Sequence, residues 1–96
     1  MVFVVMKWWY PSHKQEEVAK IFQNMENPTV SVGEQVVFAA KGSKKGIVGR
    51  NFIKVTQEKV GEAMADCNRI LGNFMGVEGY EGSIEAWIDV TELPAP

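Results

Sequence analysis

The first segment of the chain, residues 2–10, constrains the fold more than any other. It is rich in β-branched and aromatic residues and is followed by Pro11, which is typical of a β-strand. Side chains alternate between the two faces of a strand, and here both faces are apolar apart from Lys7. A strand with one solvent-exposed face would alternate apolar and polar residues, so this pattern predicts a strand that is covered on both faces.

The remaining patterns predict two helices and three further strands. Ser12 followed by Gln15 is a capping-box signal for the first helix, and Thr56 is the N-cap candidate for the second. A glycine-flanked turn at residues 42–46 predicts a hairpin. The loop from Met75 to Gly82 contains three glycines, and its sequence does not indicate a function. The predicted helices are 13–26 and 57–72, the predicted strands are 35–41, 46–55 and 81–91, and residues 93–96 form a tail.

The order strand, helix, strand, strand, helix, strand indicates two βαβ units joined by a hairpin. We therefore predict an α+β, ferredoxin-like βαββαβ fold: a four-stranded antiparallel sheet with both helices on one face. With 96 residues, the chain is expected to form a single domain over residues 1–96.

The sheet face away from the helices, which we call the open face, carries more large apolar side chains than one domain needs. A monomer would expose a patch on the order of several hundred Å², more than soluble monomers normally present. We therefore expect a homodimer, packed sheet to sheet about a two-fold axis. The residues expected at this interface, or lining a pocket within it, are Lys7, Trp9, Arg50, Phe52, Glu85, Trp87 and Asp89, together with Phe3 and Val5. Phe38 is a further candidate, although the parity of its strand is open because both of its faces are apolar.

Composition excludes several classes of function. The net charge of -2 is too small to favour nucleic acid or a membrane surface as a partner, although residues 41–59 are basic and residues 60–96 acidic. One cysteine and one histidine predict neither a disulfide nor a metal site, and no cofactor is expected. The apolar run at the start is too short to span a membrane and lacks the features of a secretory signal, which favours a cytoplasmic protein.

Short motifs along the chain resemble a known family. They are Met6-Lys7-Trp8, Tyr10-Pro11 with its Ser12-capped helix, residues 46–49 (Gly-Ile-Val-Gly) and the closing segment 85–92. With the strand order, they resemble the dimeric α/β-barrel superfamily and, more narrowly, the domain-of-unknown-function 3303 family. The resemblance implies two ferredoxin-like subunits sharing a barrel, with a pocket between the sheets. It supplies no catalytic residue, because the narrower family has no established activity.

The broader superfamily includes cofactor-independent monooxygenases, isomerases, haem-degrading enzymes and ligand-sensing domains. Some of these place a histidine or asparagine in the pocket. Here His13 falls at the start of a helix, and the parity of Asn51 points it away from the open face. Both departures weigh against an enzyme.

Each candidate residue also has a structural interpretation. The charged groups Lys7, Arg50, Glu85 and Asp89 form either an acid-base cluster or ion pairs at an interface, and the second is the more common arrangement. The tryptophans are either interface anchors or a stacking surface for a flat ligand. Cys67 lies on the apolar stripe of the second helix, as a small buried side chain would.

Three functions remain open at this point. The first is a dimeric binding or sensing module with a small-molecule pocket between its sheets. The second is a small cofactor-independent enzyme that uses Lys7, Glu85 or Asp89. The third is a purely structural or interaction protein.

Overall fold

The computed structural model describes residues 1–92 and confirms the ferredoxin-like arrangement. The sheet has the order β2-β3-β1-β4 and all neighbouring strands are antiparallel. Short 3-10 turns precede both helices and follow the last strand. The strands are β1 Val2–Tyr10, β2 Glu34–Ser43, β3 Gly46–Val55 and β4 Glu81–Ile88; the helices are α1 Gln15–Asn24 and α2 Val60–Gly72.

The predicted capping box at the first helix is wrong. The Ser12 side chain makes no capping hydrogen bond, and a 3-10 turn, Ser12–Lys14, leads into α1. The Gln15 side chain accepts a hydrogen bond from the Tyr10 hydroxyl instead, at 2.5 Å. Thr56 occupies the N-cap position of the 3-10 turn Gln57–Lys59 that leads into α2, but its side chain makes no capping hydrogen bond either.

The last strand is shorter than predicted, because it ends at Ile88 rather than at residue 91. Asp89 accepts hydrogen bonds from the backbone N–H and the hydroxyl of Thr91, at 3.0 and 2.6 Å, and this turns the chain into the 3-10 turn Val90–Glu92. The predicted tail, residues 93–96, lies outside the described residues.

The two faces of β1 and β3 are assigned as predicted. Val4 and Met6 belong to the core beneath the helices, whereas Val5 pairs with Phe52 and Lys7 pairs with Arg50 on the open face. The alternation in these two strands therefore locates the open face.

The suggestion that Phe38 joins the open face is wrong. A bulge between Gln35 and Val37 inserts Val36 into β2 and reverses its parity. Phe38 consequently lies on the helix face, where its ring packs edge-to-face on Trp8 and on Phe22. Val37, opposite Phe52, takes the place on the open face.

The core lies between the sheet and the helices, and α2 contributes most of its helical part. Ala63, Cys67 and Ile70 are almost fully buried against the sheet, whereas Val18 is the only buried residue among the ten of α1. α2 is therefore packed down on the sheet, and α1 covers it less completely.

Glycine is required at one point of this packing. Gly49 is the neighbour of Trp8 across the β1–β3 ladder, and a Cβ at Gly49 would overlap the Trp8 indole ring. The indole lies flat over β3 because this position carries no side chain.

None of the helices formed by residues 1–92 has both the length and the apolar character needed to cross a membrane.

Candidate functional site

Two of the four charged residues predicted on the open face, Lys7 and Glu85, form an ion pair supported by a tryptophan. The Lys7 ammonium lies 3.0 Å from a Glu85 carboxylate oxygen, and the Trp87 indole N–H donates to the same oxygen at 3.1 Å. Register explains the meeting, because Val5 lies opposite Glu85 and Phe3 lies opposite Trp87. The carboxylate thus has two partners and is not poised as a free base.

The aromatic residues of the open face form a chain across three strands. Phe52 packs edge-to-face on Phe3, with ring centroids 6.4 Å apart, and on Trp87, at 6.0 Å. Trp87 remains 49% exposed. This ridge is the apolar surplus that the sequence indicates.

The other predicted residues of the open face lie away from this ridge. The Arg50 guanidinium donates to the Gly49 carbonyl at 2.9 Å, and Asp89 is engaged in the turn after β4. Trp9 lies near the opposite end of β1, level with Val48 and Glu81. An open depression of about 430 Å³ lies there, with Lys7 and Arg50 in its wall.

The electrostatics of the two open-face carboxyl groups fit structural roles. Hydrogen bonds from Lys7 and then from Trp87 hold the pKa of Glu85 below its ordinary value. Hydrogen bonds from the Thr91 hydroxyl and backbone hold the pKa of Asp89 below its own. Both groups are therefore ionised at neutral pH, whereas a general acid would need a raised pKa.

A more enclosed pocket lies on the other side of the sheet, and sequence reasoning missed it. This helix-face pocket has a volume of about 280 Å³ between α1, the end of α2 and the helix face of the sheet. Its walls are almost entirely apolar and carry no charged side chain among the described residues. It is lined by Met6, Trp8, Tyr10, Gln15, Val18, Ala19, Phe22, Gln23, Pro28, Phe38, Ala40, Ile70, Leu71, Phe74 and Tyr80.

Six aromatic side chains give the helix-face pocket its shape. At one end Tyr80 stacks on Phe74, with centroids 4.9 Å apart, and on Tyr10, at 6.0 Å. At the other end Phe38 packs edge-to-face on Trp8 and Phe22, at 5.8 and 6.3 Å. Small residues on facing elements, Ala19 of α1 and Ala40 of β2, leave the space between the two groups open.

Polar groups occur at few points around the pocket. The Tyr10 hydroxyl donates to Gln15 at the pocket wall, and burial raises the pKa values of Tyr10 and Tyr80. The two phenols therefore stay protonated at neutral pH. They offer hydrogen bonds without charge.

Asn51 is the one fully buried polar side chain among the described residues. The sequence parity correctly placed it away from the open face. It lies between Met6 and Phe38 in the sheet register, and both of these neighbours line the helix-face pocket. Its amide nitrogen donates to Gln35 at 3.0 Å, while its Oδ1 has no hydrogen-bond partner. An unsatisfied buried acceptor costs about 1–3 kcal/mol, which marks this position as unusual.

Two other candidates have ordinary structural positions. His13 is exposed on the 3-10 turn before α1. Cys67 is fully buried, and burial, with a smaller contribution from Asp66, raises the pKa of its thiol to about 11. Among residues 1–92, no cluster of three or more His, Cys, Asp and Glu side chains could hold a metal ion.

No model of a known protein family matches this chain, and no curated protein matches its sequence.

Proposed function

We propose that this protein is a binding module that holds a small, uncharged, largely aromatic molecule in the helix-face pocket. The observation that carries the proposal is the pocket itself: about 280 Å³, lined by six aromatic rings and free of charged side chains among the described residues. Small-molecule sites are typically concave and apolar, with a few placed polar groups.

The lining favours a particular chemistry of ligand. Stacked rings at one end and edge-to-face rings at the other suit a flat molecule, since aromatic pairs prefer offset-stacked and edge-to-face contacts. A charged ligand would lose its hydration without gaining a counter-charge, which is costly. A hydroxyl or N–H on the ligand would find acceptors near Tyr10 and Gln15.

We further propose that the working unit is a homodimer formed through the open face. The aromatic ridge supports this, because Trp87 is 49% exposed on β4, and Val37, which lies opposite Phe52 on β2, is 44% exposed. The surface is also self-complementary in charge, with basic residues on β3 and acidic residues on β4. Exposed apolar patches of this kind commonly mark interfaces between proteins.

An acid-base enzyme that uses the open-face charges is less well supported. Glu85 is paired with Lys7, and the pKa values of Glu85 and Asp89 are lowered by hydrogen bonds. These are features of ion pairs that stabilise a surface, whereas a catalytic base or acid would have a pKa close to neutral.

The ligand proposal can be tested with 2-naphthol, a flat, uncharged and fluorescent phenol. We expect saturable binding with one site per chain. The Ala19→Leu substitution should weaken it about tenfold or more, because the larger side chain enters the pocket. Ala65→Leu is the matched control, since Ala65 is exposed on α2 away from this pocket. Equal affinity of the two variants, or no saturable binding by the wild type, would refute the proposal.

The dimer proposal can be tested by replacing Trp87 with Glu. An interface tryptophan that acts as a hot spot is commonly worth about 2 kcal/mol or more, and a two-fold dimer contains two of them, so the dissociation constant should rise at least about 30-fold. Met75→Glu is the matched control, because Met75 is 79% exposed in the turn after α2. Sedimentation velocity would show the change, and a Trp87→Glu variant that associates like the control would contradict this interface.

A further inference from the structure

The outer edge of the sheet at β2 is unprotected. β2 pairs with β3 on one side, and all ten of its residues are exposed. Val36, Val37 and Phe38 are 51%, 44% and 41% exposed. Natural proteins usually guard such an edge with proline, several charges or a covering loop, because its free N–H and C=O groups can pair with another chain.

The side chains of β2 are divided between the two faces of the sheet. Glu34, Val37, Ala39 and Lys41 lie opposite Lys54, Phe52, Arg50 and Val48, which places them on the open face. Gln35, Phe38 and Ala40 lie on the helix face. The only charges of the strand are therefore a carboxylate near its start and an ammonium near its end, and both project from the same face.

This arrangement is complementary to a second copy of itself. A two-fold axis perpendicular to the sheet sets each residue opposite one on the same face of the partner strand. If the axis passes through Phe38, then Val37 lies opposite the partner's Ala39. With the bulge skipped, Glu34 lies opposite the partner's Lys41. Registers centred on Ala39 or Ala40 set Lys41 opposite an apolar residue instead.

We propose that two copies pair antiparallel along β2, with Phe38 on the two-fold axis, and that this pairing closes the open side of the helix-face pocket. The exposed part of the pocket lining lies at this edge: Phe22 is 39% exposed and Phe38 41%, whereas Tyr10 and Phe74 at the other end are 5% and 4% exposed. Pairing brings the partner's Phe38 beside Phe38, at the cross-strand distance of about 4.5–5.5 Å between Cβ atoms.

The pairing is independent of the open-face dimer, because it uses the edge of the sheet. The closing of the pocket rests on the proposed ligand function. If both interfaces form, assembly proceeds beyond the dimer, and it closes at four copies only where the two two-fold axes intersect at right angles.

The experiment reverses the charges in a background that lacks the open-face contact. In Trp87→Glu protein, the remaining association should occur through β2. Adding Lys41→Glu, or separately Glu34→Lys, sets like charges opposite each other twice per pair of chains, and should weaken association about tenfold or more. An equimolar mixture of the two charge variants, and the Glu34→Lys/Lys41→Glu double variant, should regain it. Lys45→Glu in the hairpin turn is the control and should associate like its background.

Sedimentation velocity reads the association, and 2-naphthol fluorescence reads the pocket. If Lys41→Glu associates like Lys45→Glu, or if the mixture is no tighter than either variant alone, the β2 pairing is refuted. If paired and unpaired chains bind 2-naphthol equally well, the closing of the pocket is refuted. Failure of every protein to bind 2-naphthol refutes the ligand proposal instead, and leaves the association result to be judged by itself.

Discussion

Replacing Gly49 with alanine should destabilise the protein and displace the Trp8 indole. Gly49 does not have a left-handed backbone, so an alanine there would cause no backbone strain. The cost is steric: the new Cβ would overlap the Cε2, Cζ2 and Nε1 atoms of Trp8. Trp8 in turn packs on Phe38, and both rings line the helix-face pocket. The indole can therefore move only by entering the pocket or by shifting β1 away from β3.

Overpacking of a well-packed interior costs about 1–3 kcal/mol. This cost exceeds the roughly 0.5–1 kcal/mol by which alanine favours the folded state over glycine, because alanine loses less conformational entropy on folding. For a domain of this size, each kcal/mol lowers the melting temperature by about 4–8 °C. We therefore expect a lower melting temperature and weaker binding of 2-naphthol in the same variant.

The matched control is Gly61→Ala. A Cβ at Gly61 meets nothing within 4 Å, and Gly61 lies in the first turn of α2. Because alanine is about 1 kcal/mol more favourable than glycine in a helix, this variant should be as stable as the wild type or more stable. Calorimetry gives the stability, and the indole N–H resonances in a ¹H–¹⁵N spectrum report the tryptophans. If Gly49→Ala melts with the wild type and leaves the Trp8 resonance in place, the packing argument is refuted.

Two further predictions follow from the titratable groups. Because the pKa of Glu85 is lowered in the folded protein, its ionised form stabilises the fold at neutral pH, and this stabilisation is lost as the pH falls below the ordinary carboxyl pKa of 4.5. The urea midpoints of the wild type and the Glu85→Gln variant should therefore differ at about pH 7 and converge at about pH 3. A difference that stays constant with pH would contradict the ion pair. The Cys67 thiol is fully buried and has a pKa of about 11. At about pH 8 it should therefore react with a thiol-specific disulfide reagent far more slowly in the native protein than in denaturant. Equal rates would show that Cys67 is accessible.

The sequence alone was sufficient for the order of elements and for the faces of β1 and β3. In β3 large apolar and charged residues alternate with Gly49, Asn51 and Ile53, and β1 pairs with it along its whole length. The alternation therefore fixes which residues of the two strands share a face.

β2 was not predictable in the same way. Both of its faces are apolar, and the bulge at Val36 shifts the parity of everything after it, so Phe38 changes face. A bulge depends on local hydrogen bonding that leaves little trace in composition. The failure of the capping box has a similar origin, because the Tyr10 hydroxyl binds the Gln15 side chain that would have completed it.

The helix-face pocket was missed because it depends on the distance between α1 and the sheet, which the sequence pattern does not determine. The periodicity of α1 shows which residues face the sheet, but not how far the helix stands from it. Ala19, Ala40 and the six surrounding rings come from four different segments of the chain. The available sequence signal was a pair of large aromatic residues on the helix side, Trp8 in β1 and Phe22 in α1.

The most direct test of the proposed function is a titration of ¹⁵N-labelled protein with 2-naphthol, followed by ¹H–¹⁵N spectra. Binding in the helix-face pocket predicts saturable shifts at the backbone amides of Ala19, Phe38 and Phe74 and at the Trp8 indole, while the Trp87 and Trp9 indoles on the open face move least. Shifts concentrated at the Trp87 and Trp9 indoles, with Ala19 and Phe74 unmoved, would place the ligand on the open face and contradict the proposed site.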